Sequence, residues 1–468
     1  MNIILIISDT LRRDFLGCYG NNWISTPNID KFAKNSILFE NAYIGSFPTV
    51  PNRHEILTGK FVFTYYKWAP LPEKDITIPK ILKEKKYISM GIFDTPHPFA
   101  PGMNYQRDFD GWILIRGQEH DKYITEPIDV KLPCKPEKLR NPYSTVIQYL
   151  KNVSKRTYEE EYFCAQTFIE AGRWIEKNYK HNKFFLYIDT FDPHEPWDPP
   201  KYFVDMYDPN HKGEEVIYPR YGSTDILTES ELKHCRALYA GEVTLVDRWF
   251  GYFLRKIEDT GLLKNTCIIF TADHGFYLGE HNLIGKSIIK ENFYSWAPLY
   301  EEVARIPLIL YLPEAKHKRI KSFVQPPDIT KTILEITNSE ILEDIHGKSL
   351  IGLIEKNEKI RDFAISSPPI IHGSPAGEKI TITDESGWCY IYETEKGERY
   401  DIKAVDSIER KTVKERIEGD ELYFLPDDPK QEKNLIKEKP DIGKKLKEKI
   451  IKFLHQVKTD EKIINLWK

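Results

Sequence analysis

Three runs constrain this chain more than any others: NIILIIS at Asn2–Ser8, FFLYIDT at Phe184–Thr190 and TCIIFTAD at 266–273. Each is a continuous apolar, β-branched stretch, the pattern of a strand buried on both faces, and each carries an aspartate at or just beyond its end. Helical patterns separate them. TPNIDKFAKNSILFENAY opens a helix at Thr26-Pro27 and passes into a strand at 37–39. TIPKILKEKKYISMGIF repeats that order, with Pro79 at the helix N-terminus and a strand through Ile88–Phe93. TYEEEYFCAQTFIEAGRWIEKNY reads as a helix with Phe163, Phe168, Ala171, Trp174 and Ile175 on one side, and ALYAGEVTLVDRWFGYFLRKIEDTGL as a long one. RIPLILYLP is a further strand and PPDITKTILEIT a further helix. Such alternation predicts an α/β fold: a three-layer αβα sandwich with a mostly parallel central sheet. In these sheets reactive groups collect at the carboxyl ends of strands, where Asp9, Asp189 to His194, Asp273 and His274 fall.

From about residue 360 the pattern shortens to strand-like pieces: ITITDE, WCYIYET, ERYDIKAV and ELYFLPDD. A helix DIGKKLKEKIIKFLHQV follows, with Ile442, Leu446, Ile450, Phe453 and Val457 on one stripe. The expected organisation is a catalytic domain at 1–360 and a small C-terminal antiparallel sheet-and-helix domain at 361–468, docked without a Gly/Ser linker. The Pro- and aromatic-rich segment 95–150 has little periodicity and reads as an excursion that could rim a cleft. Its aromatics Phe99, Tyr105 and Trp112 are expected to pack rather than to line a pocket.

With 468 residues, 41% hydrophobic and 29% charged, the chain has the composition of a globular enzyme. A net charge of -4 leaves no basic excess for nucleic acid or an anionic membrane. NIILIIS is too short for a signal sequence or a membrane span. The six dispersed cysteines show no metal spacing and no disulfide framework, so a cytoplasmic location is the expectation. The sequence does not specify an oligomeric state, and a homo-oligomer stays open.

Two carboxylates and an imidazole at strand ends, Asp9 with Asp273-His274, suit a divalent metal. The stretch SFPTVPNRHEILTG at 46–59 supplies a threonine, a proline that can open a helix, and an arginine one turn beyond the threonine. Together with SDTLRRDFLGCYGN, FDPHEPWDPP, TADHGFYLGEHNLIGK, LYEEVARIPLI and ELYFLPDDPKQEKNL, in that order, these motifs resemble the sulfatase family of the alkaline phosphatase superfamily. The resemblance runs from the first strand almost to the C-terminus and implies an alkaline phosphatase-like fold.

That family carries Cys or Ser, any residue, Pro, usually Ser, then Arg. The pattern falls here on Thr49, Val50, Pro51, Asn52 and Arg53. Sulfatases oxidise the Cys or Ser to formylglycine. The methyl on the Thr49 Cβ would yield a ketone instead of the aldehyde. Ser46 has a proline at the right offset but Val50 where the arginine belongs. A threonine alcohol can instead attack phosphorus if a metal activates it. The resemblance therefore implies Thr49 as nucleophile, Arg53 stabilising charge on it or on the substrate, His194 as general acid, and Lys286 contacting the transferred group. It implies Asp9, Asp273, His274 and the Thr49 oxygen as ligands of one divalent metal ion.

Several positions depart from the family. Ser8-Asp9 stands where many sulfatases have two aspartates, and His274 stands where calcium-binding members have Asn or Gln. This shifts the expected metal from calcium, which still fits, towards manganese or zinc. The family's Gly-Lys-Trp-His motif falls near Asp94 and His97, without its lysine. Asp192, His194 and His281 lack the spacing of a two-metal phosphodiesterase. The reading that follows is a metal-dependent hydrolase of small-molecule phosphate (di)esters or phosphonate esters. Weak or promiscuous sulfatase activity is the first alternative and a non-catalytic metal-binding relative the second.

Overall fold

The computed structural model describes residues 1–290, 293–340, 343–373, 379–394 and 419–468. Its central sheet has eight strands: β1 (Asn2–Ser8), β2 (Ile37–Ala42), β3 (Ile88–Phe93), β4 (Gly111–Leu114), β5 (Phe184–Thr190), β6 (Thr266–Ala272), β7 (Leu308–Tyr311) and β8 (Lys318–Val324). Their order is β8-β2-β7-β6-β1-β5-β3-β4. Neighbours pair in parallel except where β7 runs antiparallel to β6 and β2. Every residue of β1, β5 and β6 is buried, as their unbroken apolar runs require. Each isoleucine or leucine in Ile3 to Ile7 is fully covered, a contribution of about 1.5–3 kcal/mol per side chain.

Helices α1 (Pro27–Ala33), α4 (Phe163–Asn178) and α5 (Glu229–Asp259) pack on one another. A second group is α2 (Thr49–Thr58), α3 (Ile78–Glu84) and α6 (Pro326–Ile336). The sheet between them makes the expected α/β sandwich. Helix α5 begins before the apolar pattern that announced it. The signal lies in Thr228-Glu229-Ser230-Glu231, a capping box in which Glu231 N donates to Thr228 Oγ1 (3.2 Å) and Thr228 N to Glu231 Oε2 (2.9 Å). Two strands of the central sheet escaped the sequence reading, as did the strand Phe363–Ser366 of the small sheet. β4 lies in the excursion and extends the sheet edge, and β8 is half polar because it is an edge strand.

The small sheet is antiparallel, in the order β9 (Phe363–Ser366), β10 (Ile380–Asp384), β11 (Trp388–Tyr392), β12 (Glu421–Phe424). Helix α7 (Pro440–Gln456) buries Leu446, Ile450, Phe453 and Leu454 in a second core with Ile380, Ile382, Tyr390 and Leu422. Ile442 and Val457, expected on the same stripe, are only partly covered at its ends. The expected strand in ERYDIKAV lies outside the described residues. Phe61 and Phe63, which follow α2, also belong to this core. Past β9, Phe47 N donates to Ser367 O (2.9 Å) and Ser367 N to Gly45 O (2.8 Å), so the small sheet grips the loop that leads into α2.

Of the excursion's aromatics, Phe99 stacks on Phe93 at 3.6 Å between centroids and Tyr105 is buried, whereas Trp112 stays exposed at the sheet edge. None of the six cysteines forms a disulfide. Among the described residues no helix is long and apolar enough to cross a membrane.

Candidate active site

Register explains why the acidic groups meet. β1 and β6 are adjacent and parallel with Ser8 opposite Ala272, so the next residues, Asp9 and Asp273, leave the sheet side by side. On the other flank of β1, Asp189 of β5 pairs with Ile7. The chain turns back sharply after His274. Gly275 N donates to Val303 O (3.0 Å), and a Cβ on Gly275 would lie 1.8 Å from Glu302 O, so only glycine fits.

Thr49 is the first residue of α2 and fully buried, with Oγ1 3.3 Å from His274 Nε2. His274 Nδ1–H donates to Gly275 O (2.9 Å), which leaves the Nε2 lone pair facing Thr49. Lys286 follows a short strand, Leu283–Gly285. Its Nζ donates to His194 Nε2 (2.9 Å) and lies 3.5 Å from His274 Nε2. The structure thus brings Thr49, Asp9, Asp273, His274, Lys286 and His194 into one buried cluster. Ser46, the alternative position for the motif, has other partners: its hydroxyl bonds Glu55 and accepts from Phe63 N (3.0 Å).

Arg53, expected to stabilise charge on Thr49 or on the substrate, meets protein groups in this structure. Its guanidinium forks onto Asp189, with Nε to Oδ2 at 3.1 Å and Nη2 to Oδ1 at 2.8 Å. Nη1 bonds Asp273 Oδ2, lies 3.0 Å from Asp9 Oδ2 and reaches the Thr49 carbonyl at 3.4 Å. All three nitrogens are engaged by protein groups, so Arg53 ties three carboxylates to the backbone of Thr49. Asp189, not assigned a role from sequence, is its main partner and also accepts from Thr95 Oγ1 (2.6 Å) and Tyr187 OH (2.7 Å). The signal was available in FFLYIDT, because a carboxylate inside a buried strand requires a paired cation.

Electrostatics separate the two aspartates. Burial pushes Asp273 up, but Arg53, His274 and Lys286 outweigh it and hold the carboxyl at about 2. Asp9 is raised well above the carboxylate range by burial and by Asp273, against Arg53 and Lys286. Neither Asp9 oxygen accepts a hydrogen bond. Asp9 thus faces the Arg53 guanidinium at 3.0 Å without an aligned hydrogen bond, which leaves its oxygens free to ligate a further cation. Asp9, Asp273 and His274 each offer a ligand atom within 4.8 Å of the others. Thr49 Oγ1 lies beside them, and Asn52 Oδ1, on the next turn, is buried without a donor. This mixed oxygen and imidazole set fits a divalent metal. The looser second-metal candidates stand apart from it. Asp192 accepts from Gln118 Nε2 (3.0 Å) and Cys164 N (3.3 Å), and His281 stacks on Tyr300 and faces Glu302.

Burial and the Lys286 charge push His194 well below the usual histidine range, so its imidazole is neutral at pH 7. Nδ1–H donates to Glu195 O (2.6 Å), and Nε2 accepts from Lys286. Behind it lies a network unseen in the sequence. Glu195 accepts from Tyr221 OH and Arg140 Nη2 (3.2 Å), and Glu119 accepts from Tyr218 OH (2.8 Å) and lies 3.1 Å from His97 Nε2. Glu119 and Arg140 come from the 95–150 excursion, which therefore packs behind His194. His97, displaced by one residue from the family's histidine, faces Phe191, whose ring stacks on His194 at 4.0 Å. Asp94 turns into the core, accepting from Thr167 Oγ1 (3.1 Å).

The loop before Thr49 carries its own titratable support. Glu55 accepts from Ser46 N (2.6 Å), and burial pushes its carboxyl up to about 8. An acid whose pKa rises on folding makes the protein lose stability as pH climbs from 4.5 to about 8, with no further loss above that. Glu55→Gln should remove this slope, gaining on the order of 3–5 kcal/mol relative to the parent between pH 5 and pH 9. Urea midpoints at the two pH values measure it, and parallel slopes in parent and variant would refute it.

Residues 1–339 match the family described as Sulfatase. The chain belongs to the sulfatase family. An arylsulfatase of Clostridium perfringens (strain 13 / Type A) is 29% identical over 399 residues, covering 77% of this chain and 80% of the relative. Iduronate 2-sulfatase of Mus musculus is 29% identical over 369 residues, covering 67% of this chain but only 59% of that longer protein. The crystal structure of a phosphonate monoester hydrolase of Agrobacterium radiobacter superposes with a TM-score of 0.74 at 20% identity, over 97% of this chain and 96% of that one. The fold is accordingly that of the alkaline phosphatase superfamily. This sulfatase-family chain is an ester hydrolase, and members of its superfamily use a divalent metal.

Proposed function

We propose that this sulfatase-family hydrolase cleaves phosphate esters, diesters above all, or phosphonate esters, with Thr49 as covalent nucleophile. The observation that carries the reading is a buried threonine hydroxyl, 3.3 Å from His274 Nε2, at the position where the family's oxidised residue belongs. Its Cβ methyl forbids the formyl group, but the oxygen can still attack. A divalent ion held by Asp9, Asp273, His274 and Thr49 would supply positive charge for the phosphoryl oxygens and make the hydroxyl acidic. Thr49 Oγ1, its proton lost to solvent, forms a bond to phosphorus as the bond from phosphorus to the leaving oxygen breaks. The leaving oxygen takes a proton from the Lys286–His194 pair, whose shared hydrogen bond points at the cluster. Water then gives a proton back to the Lys286–His194 pair as its oxygen bonds to phosphorus, and the bond from phosphorus to Thr49 Oγ1 breaks, releasing Thr49 and the phosphate product. Arg53 and Asp189 hold the carboxylates and the first turn of α2 in register throughout.

His194→Ala should therefore hurt substrates in proportion to how badly the leaving group needs a proton. The loss expected is about 10²–10⁴-fold for an alkyl phosphodiester and much less for a nitrophenyl one. Equal losses for both would remove His194 from the acid role.

A second reading, sulfate ester hydrolysis, draws support from the arylsulfatase likeness and from the same cations, which suit a sulfate as well as a phosphate. The deciding experiment compares bis(4-nitrophenyl) phosphate with 4-nitrophenyl sulfate on manganese- and zinc-loaded protein. Higher kcat/KM for the phosphodiester supports the first reading, and higher kcat/KM for the sulfate overturns it.

A further inference from the structure

A second set of metal-ligating side chains lies outside the active site and is absorbed by no step above. Asp208 and His211 sit on the loop after the short helix Lys201–Val204, and His234 projects from the second turn of α5. Asp208 Oδ2 is 3.2 Å from His234 Nδ1 and 3.8 Å from His211 Nδ1, and the three donor atoms all lie within 4.8 Å of one another. A tetrahedral ion with ligand bonds of about 2.0–2.1 Å wants donors about 3.3–3.4 Å apart, so the triangle already has nearly the right size.

Three further observations point to a ligand and not to a self-contained polar cluster. The His211 side chain is 6% exposed, yet its Nδ1 has no hydrogen-bond partner. Its other nitrogen, Nε2, is 3.3 Å from Glu214 O, the acceptor arrangement that keeps the proton on Nε2 and the lone pair on Nδ1. His234 repeats the design: Nδ1 faces Asp208, and Nε2 points towards the Glu215 carboxylate 3.9 Å away. The two rings lie face to face at 3.6 Å and 9° beside the Asp208 carboxylate, so an ion shared by both Nδ1 atoms requires the His211 ring, carried on its loop, to turn out of this stack. Lys233 Nζ, at 2.6 Å, engages only the other oxygen, Oδ1. Hydrogen bonding within the cluster engages His234 Nδ1 but leaves His211 Nδ1 without a partner, whereas an ion between the three would engage both Nδ1 atoms.

We propose that Asp208, His211 and His234 form a zinc site with a fourth position left to water. Its place in the fold gives it a task. The loop it would fasten to α5 continues into Ile217, whose carbonyl accepts from Trp197 N (2.8 Å), and into Tyr218 and Tyr221, which hold Glu119 and Glu195 behind His194. The ion would staple the wall of the cleft without touching the reacting atoms. The site stands independently of the phosphate reading.

The test counts ions. Full-length protein stripped with a chelator is titrated with Zn²⁺ against a chromogenic competitor. The wild type should bind two equivalents, one at the Asp9–Asp273–His274 cluster and one here, and His211→Ala and His234→Gln should each bind one. Cobalt substitution should give the wild type a tetrahedral visible spectrum that both variants lose in part. Should His234→Gln fail to fold, His211→Ala and Asp208→Asn, both in a loop, carry the same readout. Equal zinc counts in the wild type and the folded variants would overturn the site.

Discussion

Thr49→Ala should lower turnover of bis(4-nitrophenyl) phosphate by about 10⁴–10⁶-fold, the scale seen when an enzyme loses its covalent nucleophile. The fold should hardly register the change. Among the described residues the Thr49 hydroxyl has one hydrogen-bonding contact, His274 Nε2, and Thr49 is the first helical residue of α2 and not its cap. Removing the methyl leaves a small void costing about 1 kcal/mol. Thr49→Ser supplies the control, since it keeps the oxygen and loses only the methyl, and its activity should stay within about tenfold of the parent. Circular dichroism and zinc content verify that the alanine variant is folded and loaded. An alanine variant that turns over at the parental rate would remove Thr49 from the chemistry.

Arg53→Lys should cost about 3–5 kcal/mol of stability in metal-stripped protein, although it conserves charge. A single ammonium cannot fork onto both oxygens of Asp189 and also reach Asp273 and Asp9. Three buried carboxylates would then share one poorly placed cation. The pH dependence gives the change a signature. In the parent, Asp273 is held at about 2, below its unfolded value of 3.8, so its contribution is present above pH 3.8 and fades as pH falls towards 2. Without the fork Asp273 loses the cation that holds it below 3.8, and once its carboxyl rises above that value stability is lost as pH climbs. The penalty of the variant relative to the parent should therefore be smaller at pH 5 than at pH 8. Denaturant midpoints at both values test this, and a penalty independent of pH would refute it.

The parts of the molecule that were legible in the sequence are those where one physical constraint acts alone. β1, β5 and β6 are buried on both faces, so nothing but apolar residues could stand there, and the aspartates that end or follow them had to be functional or paired. Thr49, His194, His274 and Lys286 were legible because motif order carried them. Asp189 was not assigned because a lone aspartate in a strand does not name its partner, and Arg53 lies far from it in sequence. β4 and β8 escaped because edge strands alternate weakly. Glu119 and Arg140 were invisible for another reason: their role exists only once the excursion folds back against Tyr218 and Tyr221, and no local pattern encodes that.

The hydrogen bonds between Gly45, Phe47 and Ser367 have a consequence for biosynthesis. The turn that presents Thr49 is built from residues near the start of the chain but braced by a sheet that is completed only at Glu421–Phe424. During translation Thr49 is therefore made early and left without this brace until most of the polypeptide has left the ribosome. Hydrolytic competence should arrive late and all at once, which would keep a half-made chain from acting on esters around it.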